Sequence, residues 1–189
     1  VHGYRNTHQH LDLIAGLPWE GLDSFFRSFD DVYRMEPDQL QLGFLKLLHG
    51  TRLRGQAQSM GYRFCALPPY EILSTPWLSY EELLRLKEVE EATERVVNSG
   101  AFRYSLPAAL PLFESPFQMM ELLGARLASQ QCEVSLKTLY RLFYELCTEQ
   151  GGELREALRK DYVLHYREAA PAFLEFRYDD AFLTGRRRF

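Results

Sequence analysis

Apolar and polar residues alternate along His10-Leu-Asp-Leu-Ile-Ala15, a period of two that predicts a short strand stopped by Gly16-Leu17-Pro18. The period then changes. From Glu20 to Met35 the apolar residues Leu22, Phe25, Phe26, Phe29, Val32 and Tyr33 recur every three or four positions, as an amphipathic helix requires. Pro37 ends it, because the residue before a proline disfavours the helical conformation. Residues 39–48, QLQLGFLKLL, alternate at first and then become apolar, which predicts a second strand turning out at His49-Gly50-Thr51.

Strand, helix and strand make one βαβ unit, which is right-handed and pairs its strands in parallel. Parallel sheets are covered on both faces, and two strands are too few to stand alone. No third strong parallel strand follows. The expectation is therefore a fragment: one βαβ unit of a larger α/β barrel whose earlier strands lie outside this chain.

Farther along, Leu53 to Met60 predicts a short helix ending at Gly61, and residues 62–67 and 71–74 are short β-like runs around Pro68-Pro69, a hairpin or an extended arm. Ser79 is placed to cap a helix running to about Val97, with Glu82 completing a capping box and Glu81/Arg85 and Glu91/Arg95 as surface pairs. Residues 101–116 read as a Pro-rich connection. Ser115-Pro116 opens a helix with Met120, Leu123 and Leu127 on its buried stripe. A further helix carries Leu136, Leu139, Tyr140, Phe143 and Leu146, stopped by Gly151-Gly152, and another runs from about Glu153 to Tyr166. Residues 169–189 read as an irregular tail with one apolar cluster, Phe173-Leu174-Phe176. The domains expected are residues 1–61, a connector at 62–78, and a helical domain at 79–189.

A net charge of −4 argues against a nucleic-acid-binding domain. Arg186-Arg187-Arg188 reads as a solvated chain end. No stretch is apolar enough to span a membrane. Cys65, Cys132 and Cys147 are odd in number and far apart, so a disulfide framework is not expected and a reduced, cytoplasmic setting fits best. Cys132 and Cys147 fall in helical patterns and are expected to be buried. His2, His8 and His10 lack the companion residues of a metal motif, so no metal site is expected.

DLIAGLPWE, followed by SFFRSFDDVYRMEPDQLQLGFLKLLHGT, resembles the last two βα steps of the radical S-adenosylmethionine barrel. The style is that of oxygen-independent coproporphyrinogen oxidases and cobalamin-binding radical S-adenosylmethionine proteins. GYRFCALPPYEILSTPWLSYEELLRLKEVEEATERVVNSGAF resembles the helical domain of unknown function that follows the barrel in one cobalamin-type subgroup. The resemblance implies a fold that is α/β plus α: the end of a partial βα barrel and then a mainly helical domain. It implies a parent Fe–S oxidoreductase that uses S-adenosylmethionine and a 4Fe-4S cluster held by CxxxCxxC, with cobalamin in that subgroup. The cluster motif is absent from this chain, so the chain alone is not expected to be catalytic and no cofactor is expected to be complete in it.

By the same resemblance, Ile14, Ala15 and Gly16 match the fifth-strand motif that contacts adenine through its backbone, and Leu45 and Lys46 end the sixth strand beside it. The family pattern has Gly where this chain has Asp12, and its acidic residue falls at Trp19 and not at Glu20. His10 and Asp12 share one face of the first strand, as Gln39 and Gln41 share one face of the second, so all four are substrate-side candidates. A self-satisfied hydrogen-bond layer explains them as well. The partners expected are the N-terminal part of the same protein, a substrate the sequence does not identify, and a second copy joined through residues 10–15 or 39–48. The alternative function is a helical interaction module for which the βα unit is only a docking platform.

Overall fold

The structure is a computed structural model that describes residues 7–130, 132–167 and 169–174. It is mixed α/β and mostly helical, as the hydrophobic pattern indicates, and the described residues form no closed barrel. Strand β1 (His10–Ala15), helix α1 (Leu22–Arg34) and strand β2 (Gln39–Phe44) form the βαβ unit. The strands pair in parallel, from His10 opposite Gln39 to Ala15 opposite Phe44. Helix α1 exists because Phe25 and Phe29 fall on one stripe and are fully buried; each contributes about 1.5–3 kcal/mol by leaving water. Asp23 in its first turn and Arg34 in its last suit the helix dipole.

Strand β2 stops four residues short of the sequence expectation. At Leu45 the chain leaves β1 and pairs instead with the segment ahead of the second sheet: Ile72 N–H donates to Leu45 O at 3.0 Å and Leu47 N–H to Tyr70 O at 2.9 Å. That segment belongs to an antiparallel hairpin of β3 (Arg63–Phe64) and β4 (Ile72–Ser74). Between β2 and β3 lies the short helix α2 (Arg52–Gln56), capped by the Thr51 hydroxyl. The outer edge of β2 is closed at Leu40 by one side chain. The Asn98 amide accepts from Leu40 N–H at 3.0 Å and donates to Leu40 O at 2.9 Å, occupying the place of a neighbouring strand's peptide.

The remaining helices are α3 (Tyr80–Thr93), α4 (Ser105–Ala109), α5 (Pro116–Ala128), α6 (Leu136–Glu149) and α7 (Arg155–Tyr166). Helix α3 starts with the anticipated Ser79/Glu82 capping box and runs on through a π-helical turn, Glu94–Asn98, which places Asn98 against β2. Helices α3 and α5 are in intimate contact at Gly124, where a Cβ would lie 2.6 Å from the Glu88 carbonyl carbon and closer still to its oxygen. The buried Asp30 of α1 accepts from Phe117 N–H at 2.9 Å, capping α5. Phe26 and Phe29 both meet the Phe117 ring, so the βαβ unit and the helices share one continuous core.

Three local expectations are corrected. Residues 101–116 are not simply a connection: α4 and a 3-10 turn, Leu110–Leu112, form there. The cause is Asp161, only 3% exposed, whose carboxylate accepts from Tyr104 N–H, Ser105 N–H and the Ser105 hydroxyl. Pro107 is tolerated because it sits in the first turn, where an N–H has no intrahelical partner. Arg85 pairs with Glu121 of α5 and not with Glu81, because the tertiary partner is in reach, whereas Glu91/Arg95 forms as anticipated at 3.1 Å. Cys132 is exposed in the connection before α6, while Cys147 is buried in α6. Tyr140 is wholly buried, stacked on Phe102 at 4.5 Å, with its hydroxyl donating to Ala101 O. Leu174 is buried at a last 3-10 turn, Ala172–Leu174; Phe176 and Arg186-Arg187-Arg188 lie outside the described residues.

Candidate functional site

Parallel pairing puts matched residues on the same face of the sheet. One face carries Leu11, Leu13 and Ala15 of β1 with Leu40, Leu42 and Phe44 of β2; it packs toward α1 and α3, and all of these but Leu11 join the core. The other face carries His10, Asp12 and Ile14 opposite Gln39, Gln41 and Gly43. Here His10, Asp12, Ile14 and Gln41 are exposed and Gln39 and Gly43 half-buried. Ile14 is 45% exposed, a large apolar side chain on a sheet face that the described residues leave uncovered. A two-stranded parallel layer with one bare face is unusual, since helices ordinarily cover both.

On that face the structure brings three of the four substrate-side candidates together. His10 Nε2 lies 3.1 Å from Gln41 Oε1 and 3.2 Å from Asp12 Oδ1. The cluster satisfies itself and lies open to water. Gln39 stands apart from it; its N–H donates to Gln9 O, and Gln9 N–H donates to Asp38 Oδ2. His8 lies 3.8 Å from the Asp38 carboxylate, so His8 and His10 serve different partners, and His2 lies outside the described residues. Among the described residues no three His, Cys, Asp or Glu side chains converge.

The C-terminal mouths of the two strands do lie side by side. Leu45 N–H donates to Ala15 O at 3.0 Å, and Leu45 Cβ would lie 3.7 Å from a Cβ on Gly16. Gly16 is buried with φ +93°, and a Cβ there would run into Ile72. Its carbonyl accepts from the Tyr62 hydroxyl at 3.2 Å. The need for glycine is thus met within the chain: backbone conformation and the close approach of β4. Lys46 is exposed and bridged to Glu71 across the start of the hairpin. Beyond Gly16, Trp19 has φ +64°, is 76% exposed and tilts against Trp77 with ring centres 5.8 Å apart. Glu20 is half-buried near the Ser28 hydroxyl, and burial raises its carboxyl above the ordinary range.

Tyr62, Ile72 and Trp77 were not legible as mouth residues in the sequence; only the aromatic density of residues 62–80 hinted at them. The free edge of β1 completes the geometry. Because the carbonyls of Gln9 and Ala15 receive bonds from β2, the peptide groups of His10, Asp12 and Ile14 face away from it. Among the described residues no strand pairs with that edge. Among the described residues, too, no helix is long and apolar enough to cross a membrane.

A family model described as Protein of unknown function (DUF4080) matches residues 58–184, leaving β1, α1 and β2 outside the match. No curated protein and no solved structure matches the chain.

Proposed function

The chain belongs to the DUF4080 family, and from that premise we propose that it forms the C-terminal wall of a radical S-adenosylmethionine barrel together with the helical domain that closes behind it. The observation that carries this reading is the half-covered parallel pair: a bare face bearing Ile14 and the His10–Asp12–Gln41 cluster, beside an unpaired β1 edge. Such a pair is what the last two strands of a barrel leave when their neighbours come from elsewhere. The placement of this domain after radical S-adenosylmethionine and cobalamin-binding proteins supports the reading.

The chain's own residues would do three things. Ile14, Gly43 and Leu45 would offer an apolar floor to a planar base, with the outward peptide of Ile14 and the neighbouring Ala15, Gly16 and Lys46 at its rim. His10, Asp12, Gln39 and Gln41 would line the lumen below it and orient a polar substrate. The helices behind would keep this wall rigid. The 4Fe-4S cluster and S-adenosylmethionine would supply the redox chemistry when bound. The cluster does not fit this chain, whose cysteines lie far apart, just after β3, in the connection before α6 and within α6, so it would fall to the N-terminal part of the protein.

The test is the reading frame upstream of Val1 and the protein it encodes. A CxxxCxxC about one to two hundred residues earlier, at typical domain spacing, is expected. Anaerobic reconstitution of that protein should give the visible and paramagnetic signals of a four-iron cluster, and S-adenosylmethionine should perturb them. Ile14→Asp in the full-length protein should abolish the perturbation while leaving the cluster signal intact. Absence of the cysteine motif would sink the proposal.

A further inference from the structure

Residues 39–70 contain four cationic side chains, Lys46, Arg52, Arg54 and Arg63, together with His49, and no Asp or Glu at all. In a chain with a net charge of −4 this is a strong local reversal. The fold brings two of them, Arg54 and Arg63, to one cavity. Arg52 and Arg54 are on α2, and Arg63 is on β3. Arg54, Gly55, Gln58, Tyr62, Arg63 and Phe64 line an open cavity of about 430 Å³. Its wall includes Tyr62, whose hydroxyl holds Gly16 O, so the cavity lies behind the mouth of β1.

Arg54 is the organised member of this set. It is half-buried, its guanidinium donates to Leu47 O, and its Cζ lies 5.0 Å from the Phe64 ring centre and 4.8 Å from that of Tyr70. His49 abuts the same Tyr70 edge-on at 4.9 Å. An arginine clamped between two rings and a carbonyl has lost its rotamer freedom before any ligand arrives. Yet among the described residues none of Arg52, Arg54 and Arg63 forms an ion pair, whereas Arg85, Arg95 and Arg126 all do. A positive group held in place without a counter-charge is suited to an oxyanion, which guanidinium binds through paired hydrogen bonds.

We infer that this cavity is a binding site for a small ligand bearing a phosphate or carboxylate, held by Arg54 and Arg63. The inference goes beyond the proposed barrel reading and does not depend on it, since every residue named belongs to this chain. The test is a titration of the chain with inorganic phosphate and, separately, with malonate. Chloride is adjusted to constant ionic strength, and the arginine Nε–H resonances are followed. Saturable shifts at Arg54 and Arg63 are expected with at least one of the two anions. Phosphate alone identifies a phosphate ligand and malonate alone a carboxylate, while both identify the shared oxyanion. Arg63→Gln, on an exposed strand position, should weaken binding about tenfold, the loss of one charge-assisted hydrogen-bond pair. Arg54→Lys should not restore the affinity lost in Arg54→Gln, because a lysine cannot present two donors in a plane. Arg159→Gln, on α7, should bind as the parent does. Shifts that fail to saturate, or an affinity unchanged in Arg63→Gln, would overturn the inference.

Discussion

Gly124 offers a substitution whose sign is decided by geometry. In an exposed helix, Gly→Ala stabilises by about 1 kcal/mol, because alanine has less backbone freedom to lose. At Gly124 the new methyl would stand 2.6 Å from the Glu88 carbonyl carbon, with the Glu88 Cβ only 3.0 Å away. Ordinary contact needs about 3.5–4 Å, so α3 and α5 must part by about 1 Å. The obstacle is backbone and no rotamer change relieves it. Overpacking of this kind costs about 1–3 kcal/mol, and the rigid obstacle puts Gly124→Ala at the upper end. After the propensity gain is subtracted, the variant should be less stable by about 1–2 kcal/mol. For a chain of this length that is a fall in Tm of about 2–8 °C. Urea unfolding followed by circular dichroism should show a lower midpoint at an unchanged slope. A midpoint equal to or above the parent's would refute the close approach of the two helices.

Asp161→Ala removes the acceptor for Tyr104 N–H, Ser105 N–H and the Ser105 hydroxyl, and should cost about 2–4 kcal/mol in urea unfolding, with buried donors left unmet; a loss under 1 kcal/mol would contradict the cap. Asn98→Ala opens the outer edge of β2; hydrogen exchange at the Leu40 amide should accelerate at least tenfold, and unaltered exchange would count against the amide bridge. Burial pushes the Cys147 thiol up to about 12, so at pH 8 its thiolate fraction is about one in ten thousand. Cys132, which is exposed, should therefore react with a disulfide reagent in the native protein, while Cys147 should react only on unfolding; equal rates would show that the α6 core is open.

Much of what rests on neighbours within one turn was readable from the sequence. The Phe25/Phe29 stripe, the Ser79/Glu82 box and the Ser115-Pro116 start each need only residues three or four apart, and each forms. The period-two pattern likewise put His10 and Asp12 on one face, where they meet Gln41. What escaped depends on partners distant in sequence. Helix α4 owes its start to Asp161, which follows it by 56 residues, and a proline-rich stretch gives no sign of such help. Arg85 chose Glu121 over the local Glu81 because α5 brings a carboxylate within 2.5 Å. Gly16 was legible as a special position, but its neighbours Tyr62 and Ile72 come from a hairpin whose docking no local pattern specifies.

The Asn98 amide at the edge of β2 has a consequence for how the sheet can be completed. It imitates a single strand peptide at Leu40, on the side of β2 away from β1, whereas the Tyr70–Ile72 segment pairs on the β1 side, beyond the end of β1 at Ala15. Among the described residues the outer margin of β2 is occupied at Leu40 and no strand pairs with the margin of β1, so the layer is open to growth on the β1 side. A strand that pairs with the outward peptides of His10, Asp12 and Ile14, from an upstream segment or from a second copy, arrives on the β1 side. It must then lie beside the row that carries His10, Asp12 and Ile14. Assembly and exposure of the face that carries His10, Asp12 and Ile14 are thereby tied to one seam, and the helices at the back serve as its fixed jamb.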